Sequence, residues 1–327
     1  MRIVFAPMEG VADHLMRDQM TRLSDVDWCV TEFMRVTDTL LPPRHFYRVM
    51  PELKNGSKTP AGVPVRAQLL GSDPVCMAEN AARVAELGSP AVDLNFGCPA
   101  KIVNRHRGGA VLLDEPDVLY DIVSTVRRAV PAATPVTAKM RLGVKDTALT
   151  LDCAAALESA GVSELVVHAR TKVDGYKPPA HWEWIARIAD HIHIPVIANG
   201  EIWSADDYVR CKQVSGLADV MIGRGLLSRP DLAWQIRRRM GGQTSDRSSV
   251  YWPDLIPVFE DYFRQICAKV EPKHAAGRFK QWVGYLRKGY PEANAFFMDI
   301  RTLSKPADIF QYMSRQRLET SEVALSE

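Results

Sequence analysis

The sequence predicts an α/β chain, a (β/α)8 barrel of the TIM type followed by a small all-helical C-terminal domain. Three observations carry that expectation. Eight short apolar runs recur over roughly 240 residues, the length that eight β/α units occupy. Helix-like stretches lie between the runs, and the alternation stops after residue 241.

In order, the runs are IVFAPM (3–8), WCVTEF (28–33), VPVRAQLLG (63–71), AVDLNFG (91–97), PVTAKMRLG (135–143), ELVVHARTK (164–172), IPVIANGEI (194–202) and ADVMIGRGLL (218–227). Several are almost continuously apolar, as strands covered on both faces must be. Residues 74–87, 116–129, 147–160 and 204–214 read as helices, two opening on a proline and one followed by Gly161. A doubly wound sheet is the alternative, but no G-x-G-x-x-G follows the first run. GGQTSDRSS (241–249) is the clearest break in composition. The barrel is therefore expected over 1–241, a linker over 242–249 and a helical domain over 250–317. An acidic, flexible tail is expected over 318–327. Inside the helical domain, 254–270 and 278–291 read as helices. Phe279, Trp282, Val283 and Leu286 share one face of the second, and Lys273, Lys280 and Arg287 line another.

The 327 residues are 46% hydrophobic and 24% charged, ordinary values for a soluble globular chain. No apolar run approaches the ~20 residues that cross a bilayer. MRIVFAPMEG lacks the pattern of a signal peptide, so a cytoplasmic location is expected. The six cysteines show no C-x-x-C pair and no metal-ligand spacing, which favours free thiols and no metal site. Net charge is only +2, yet Lys269 to Arg317 holds ten Lys/Arg against four Asp/Glu. That segment is either a solvated basic face or a surface for a polyanion.

In such a barrel, chemistry gathers where the strands end at their C-termini. The runs close on Pro7-Met8-Glu9, Glu32 and Arg35, Gln68, Asn95 and Cys98, Lys139 and Arg141, His168 and Arg170, Asn199-Gly200-Glu201, and Gly223-Arg224. The last two loops suit a phosphate, whose oxygens backbone N–H groups can approach closely, or they merely close two tight turns. Lys139 in TAKMRLG is a strand lysine that should face an anion or a polar ligand. It suits a Schiff base, an electron-rich cofactor ring, or simple snorkelling to the rim. A lone histidine such as His168 is more often structural than catalytic. Cys98, between Gly97 and Pro99 where a strand stops, suits a proton donor or nucleophile presented by a tight turn, or an ordinary buried thiol.

Together, APMEGVAD, DLNFGCPAK with the glycine pair after it, AKMRLG, VVHARTK, IPVIANGEI and VMIGRGLL resemble the tRNA-dihydrouridine synthases. MRVTDTLLP (34–42) and RFKQWVGYLRK (278–288) are similar to the bacterial subgroup that modifies uridine 16, although NRHRGG (104–109) is more basic than that pattern. The resemblance implies tightly bound FMN, NADPH as electron donor, and reduction of the uracil C5=C6 bond in tRNA. Hydride would pass from FMN N5 to C6 and a proton from Cys98 to C5. It places Pro7, Met8, Glu9, Gln68, Lys139, His168, Asn199, Gly200, Glu201, Gly223 and Arg224 at the flavin. It places Arg35, Asn95, Tyr176, Arg278, Lys280, Tyr285 and Arg301 at tRNA, and it implies a monomer with no protein partner or membrane contact. The basic loop from Lys101 to Gly109 would close over the base. Other readings are a small-molecule FMN oxidoreductase of the dihydroorotate dehydrogenase type, a Lys139 aldolase, and a non-catalytic tRNA-binding barrel.

Overall fold

The structure is a computed structural model that describes residues 1–242 and 249–324. In chain order its elements are β1 (Ile3–Phe5), α1 (His14–Leu23), β2 (Trp28–Arg35), α2 (Pro43–Val49), β3 (Val65–Leu70), α3 (Pro74–Glu86), β4 (Val92–Phe96) and α4 (Lys101–Arg105). There follow α5 (Pro116–Ala129), β5 (Val136–Arg141), α6 (Thr150–Ser159), β6 (Leu165–His168), α7 (Trp182–His191), β7 (Val196–Asn199), α8 (Ala205–Ser215) and β8 (Val220–Ile222). The chain continues through α9 (Arg224–Ser228), α10 (Leu232–Arg239), α11 (Trp252–Lys269), α12 (Pro272–Leu286), α13 (Glu292–Ile300) and α14 (Pro306–Ala324). Two 3-10 turns, Pro51–Asn55 and Gly109–Asp114, complete the set.

The predicted barrel is observed. Among the described residues each strand pairs in parallel with the next, and β8 returns to β1 through Val4↔Met221 and its neighbours. The expected helices lie within three residues of their predicted ends, helped by local chemistry, except that the helix expected over 278–291 is Pro272–Leu286, starting and ending a turn and a half earlier. Asp73, for example, accepts the Cys76 N–H at 2.7 Å and Pro74 opens the first turn of α3. At the N-terminal ends of the strands, the Arg66 guanidinium lies 4.0 Å from the Trp28 ring centroid. Glu164 accepts from Arg66 at 2.7 Å and from Arg2 at 2.5 Å, closing the barrel foot with paired charges.

The chain forms two compact units. The first holds the barrel: residues 1–14, 26–202 and 206–223. The second takes in 15–25, 203–205 and the chain from Arg224. Its aromatic core centres on Phe259, whose ring lies 5.4–5.7 Å from those of Trp252, Phe279, Trp282 and Phe296. The predicted apolar face is observed, for Phe279, Trp282, Val283 and Leu286 are all buried. Residues 243–248 of the expected linker lie outside the described residues. Helical backbone continues to Ala324, inside the segment expected as a tail, and 325–327 lie outside the described residues.

Candidate active site

Alternate residues of a barrel strand face inward. On β1, β2 and β6–β8 the inward residues Val4, Val30, Val166, Ile197 and Met221 form one buried apolar cluster, and one step nearer the mouth β6 and β7 end on the polar His168 and Asn199. On β3–β5 they are polar. Gln68, Asp93, Asn95, Thr137 and Lys139 are all buried, and the β4–β5 register sets Asp93 beside Thr137 and Asn95 beside Lys139. The apolar cluster therefore faces a side of the barrel interior that is wired with hydrogen bonds.

The wiring runs toward Cys98. Asp93 Oδ1 accepts from the Thr137 hydroxyl at 2.6 Å and Oδ2 from Gln68 Nε2 at 2.7 Å. Asn95 Nδ2 donates to Gln68 Oε1 at 2.7 Å. Asn95 Oδ1 then accepts the backbone N–H groups of Gly97 and Cys98 at 3.0 and 2.9 Å. The Cys98 carbonyl is held as well, by Ala110 N–H at 3.0 Å and Asn104 Nδ2 at 2.9 Å. Arg141 Nε donates to the Gly97 carbonyl at 2.9 Å. The tight-turn role expected of Gly97 falls elsewhere: a Cβ there would make only ordinary contacts. The constrained glycine is Gly109, at φ +68, where a Cβ would sit 2.8 Å from the Cys98 carbonyl oxygen. The segment read as a loop from Lys101 opens as the short helix α4. Its Asn104 is the side chain that reaches back to Cys98.

Burial pushes the half-buried Cys98 thiol up, and Glu9 adds to the rise. The Ala100 N–H and the charges of Arg141 and Lys139 oppose it without cancelling it. Cys98 is therefore a thiol at neutral pH. Lys139 moves the other way. Burial and the neighbouring Arg141 bring its ammonium down to about 8, against the attraction of Asp93 and Cys98.

The remaining mouth residues assemble in pairs. The His168 ring packs on Gly200, where a Cβ would lie 3.0 Å from Cδ2, and its centroid is 6.0 Å from that of Tyr176. Met8 packs on Gly223, where a Cβ would lie 3.0 Å from Sδ. Asn199 Nδ2 donates to the Met221 carbonyl at 2.7 Å, and Glu201 accepts from the buried Arg170. Pro7 and Glu9 flank Met8 beyond β1, and Arg35 ends β2. Arg141 lies under the exposed Tyr176 ring at 5.2 Å and donates to the Thr171 and Gly175 carbonyls. Sequence reasoning gave no role to Asp93, Thr137 or Asn104, and named Arg141 only by its place on the strand. The period-two step from Asn95 to Asp93 and from Lys139 to Thr137 was the available signal.

The other predicted positions belong to the second unit. Arg278, Lys280 and Tyr285 lie on α12, and Arg301 follows α13. Lys280 Nζ donates to the Arg301 and Leu303 carbonyls at 2.9 and 2.5 Å, tying two of these positions together. Arg224 lies 5.1 Å from the Trp203 ring centroid, and Lys288 lies 3.2 Å from it.

The dihydrouridine synthase (Dus) family model matches residues 4–318. The chain is 57% identical over 301 residues to the tRNA-dihydrouridine(16) synthase of Pseudomonas putida, covering 92% of this chain and 93% of the relative. It is 53% identical to that of Ralstonia nicotianae, covering 94% of each. It is 45% identical to that of Vibrio cholerae, covering 97% of this chain and 96% of the relative. Among solved structures, a 2-naphthoyl-CoA reductase complex shares the fold at TM-score 0.54 and 13% identity, over 74% of this chain and 50% of that one. A variant of NCR from Zymomonas mobilis does so at TM-score 0.51 and 15% identity, over 77% and 92%. With a match that runs almost end to end and this barrel beneath it, the chain belongs to the dihydrouridine synthase family.

Proposed function

We propose that this enzyme reduces uridine 16 of tRNA to 5,6-dihydrouridine, using FMN and NADPH, in the cytoplasm. The observation that carries the reading is a protonated thiol, Cys98, clamped at the mouth of β4 beside a buried lysine. The name shared by the high-identity relatives supplies the substrate and its position.

The residues fit a flavin mononucleotide on two counts. The Lys139 ammonium is buried at the barrel mouth at a cost that an electron-rich ligand would offset. Gly200 and Gly223 let His168 and Met8 close directly on the two loops that would face the phosphate, where a Cβ would strike them. Lys139 would meet the electron-rich edge of the ring, and Gln68 would offer its second amide proton and lone pair. Pro7, Met8, Glu9 and His168 would line the ring. Asn199, Gly200, Glu201, Gly223 and Arg224 would hold the phosphate. When bound, the flavin supplies the hydride that reduces C6, and NADPH replenishes it.

The chain's own residues complete the reduction. Hydride addition at C6 leaves the electron pair shared between C5 and the C4 carbonyl, and a proton at C5 finishes the product. Cys98 gives that proton from sulfur and is left as a thiolate beside the positive charges of Lys139 and Arg141. Solvent then reprotonates it. Asn95 and the exposed Tyr176 ring would position and stack the flipped base. Arg35, Arg278, Lys280, Tyr285 and Arg301 would grip the rest of the tRNA as one monomer binds it. Cys98→Ala should lower turnover by about 100-fold or more, in line with loss of a general acid. It should keep flavin absorbance and tRNA affinity. Dihydrouridine formation at the parental rate would sink the assignment.

A further inference from the structure

We propose that Asp93 is a positioning residue for Cys98: acting through Gln68 and Asn95, its carboxylate reinforces the direction that the Gly97 and Cys98 N–H groups impose on the buried amides, and so helps fix where the sulfur sits. The inference rests on the reading of Cys98 as the proton donor for its functional meaning, but not for its test.

A carboxamide can turn over with almost no change of shape, so its partners decide its direction. An ionised carboxylate only accepts. Asp93 already takes the Thr137 hydroxyl proton at 2.6 Å, and it must receive Nε2 from Gln68, at 2.7 Å. Gln68 then has only its oxygen to offer Asn95, which donates Nδ2 at 2.7 Å. Asn95 in turn has its oxygen left for the Gly97 and Cys98 N–H groups. Turned over, Asn95 would set an NH2 group against two N–H donors. Both ends of the column thus demand the same direction, and the buried setting of Asp93, Gln68 and Asn95 keeps water from substituting for a lost partner. The opposite side of the barrel fills comparable inward positions with Val166, Ile197 and Met221. Packing alone therefore does not require a carboxylate here, and burying one is costly. Burial pushes the Asp93 carboxyl up, and the hydrogen bonds from Gln68 and Thr137, with the charges of Arg66 and Lys139, pull against that rise in favour of the carboxylate.

The test exchanges donors and acceptors and reads Cys98 directly. Asp93→Asn leaves one oxygen where the carboxylate offered two, so its oxygen can stay on Gln68 only if the Thr137 hydroxyl turns to accept its NH2. Asn95→Asp, by contrast, sets an acceptor against Gln68 Oε1. Combining the two substitutions lets Gln68 turn over. The new amide at position 93 then donates to the Gln68 oxygen, and the new carboxylate at position 95 accepts the Gln68 nitrogen. That carboxylate still accepts the Gly97 and Cys98 N–H groups.

Iodoacetamide labelling of the flavin-loaded enzyme, resolved by peptide mass, gives the rate at Cys98, with buried Cys153 and Cys211 as internal controls. Asn95→Asp alone should change the Cys98 rate by about fivefold or more, Asp93→Asn alone should change it less because Thr137 can turn, and the exchange should restore it to within about twofold, as expected of coupled neighbours. Cys153 and Cys211 should stay protected throughout. An unchanged Asn95→Asp variant, an exchange no better than Asn95→Asp alone, or labelling of all three cysteines together would overturn the proposal. The Cys98→Ala assay fails independently of this one, so the acid role and the positioning role can be told apart.

Discussion

A thiol is useful as an acid only if it is protonated and held still when the carbanion forms. Cys98 meets the first condition through burial and the second through Asn95, Asn104 and Arg141, which hold the backbone on either side of it. Lys139 yields a pH prediction, because its ammonium, held at about 8, is complete below that value and is lost above it. FMN affinity of the apoprotein should therefore weaken as pH rises through about 8, and Lys139→Met should flatten that dependence. Isothermal titration across pH 6.5–9.5 checks this, and an affinity that holds across that range would contradict it. The stability contribution runs the other way. The unfolded lysine keeps its proton to higher pH, so this group favours the fold more as pH rises between about 8 and 10.5, and unfolding cannot account for the loss. Cys98, Lys139 and Gln68 were legible in the sequence because each stands near the end of an apolar run. Asp93 and Thr137 were not. A carboxylate inside a run reads as solvent-facing until barrel closure turns that face inward.

At the scale of elements, the sequence marks strands by apolarity, and apolarity outlasts the strand. The run 194–202 yields only Val196–Asn199, because Gly200 and Glu201 take positive φ and leave the sheet to build the mouth. The run 164–172 stops at His168 for its strand, and Arg170 turns back to pair with Glu201. Each overshoot therefore coincides with a candidate site residue. The turn after α4 was less legible. Its glycine pair was visible, but only the fold shows that Gly109 touches the Cys98 carbonyl. Gly109→Ala should cost about 1–2 kcal/mol from the left-handed backbone alone, and more from the contact. A lower urea midpoint together with reduced turnover is the expected result. A variant as stable and active as the parent would show that this clamp is dispensable.

At the scale of the molecule, charge explains what the barrel does not. The excess of ten basic over four acidic residues in 269–317 falls in the second unit, at the end of α11 and on α12 to α14 and their connections. A polyanion held there releases counterions, so tRNA affinity should fall by roughly 10^3 or more between 50 and 200 mM salt if six or more phosphates are contacted. Filter binding across that range measures it, and a flat response would mark the segment as a solvated surface. Uridines of one loop offer nearly identical edges, so choice of position must come from how the whole tRNA is presented. That makes site mapping the most direct measurement of the account. Unmodified tRNA incubated with the purified enzyme and NADPH should carry dihydrouridine at position 16 and at no other D-loop uridine, and the Cys98→Ala enzyme should leave position 16 unmodified. Dihydrouridine at a different position, or none with the flavin-loaded enzyme, would contradict it.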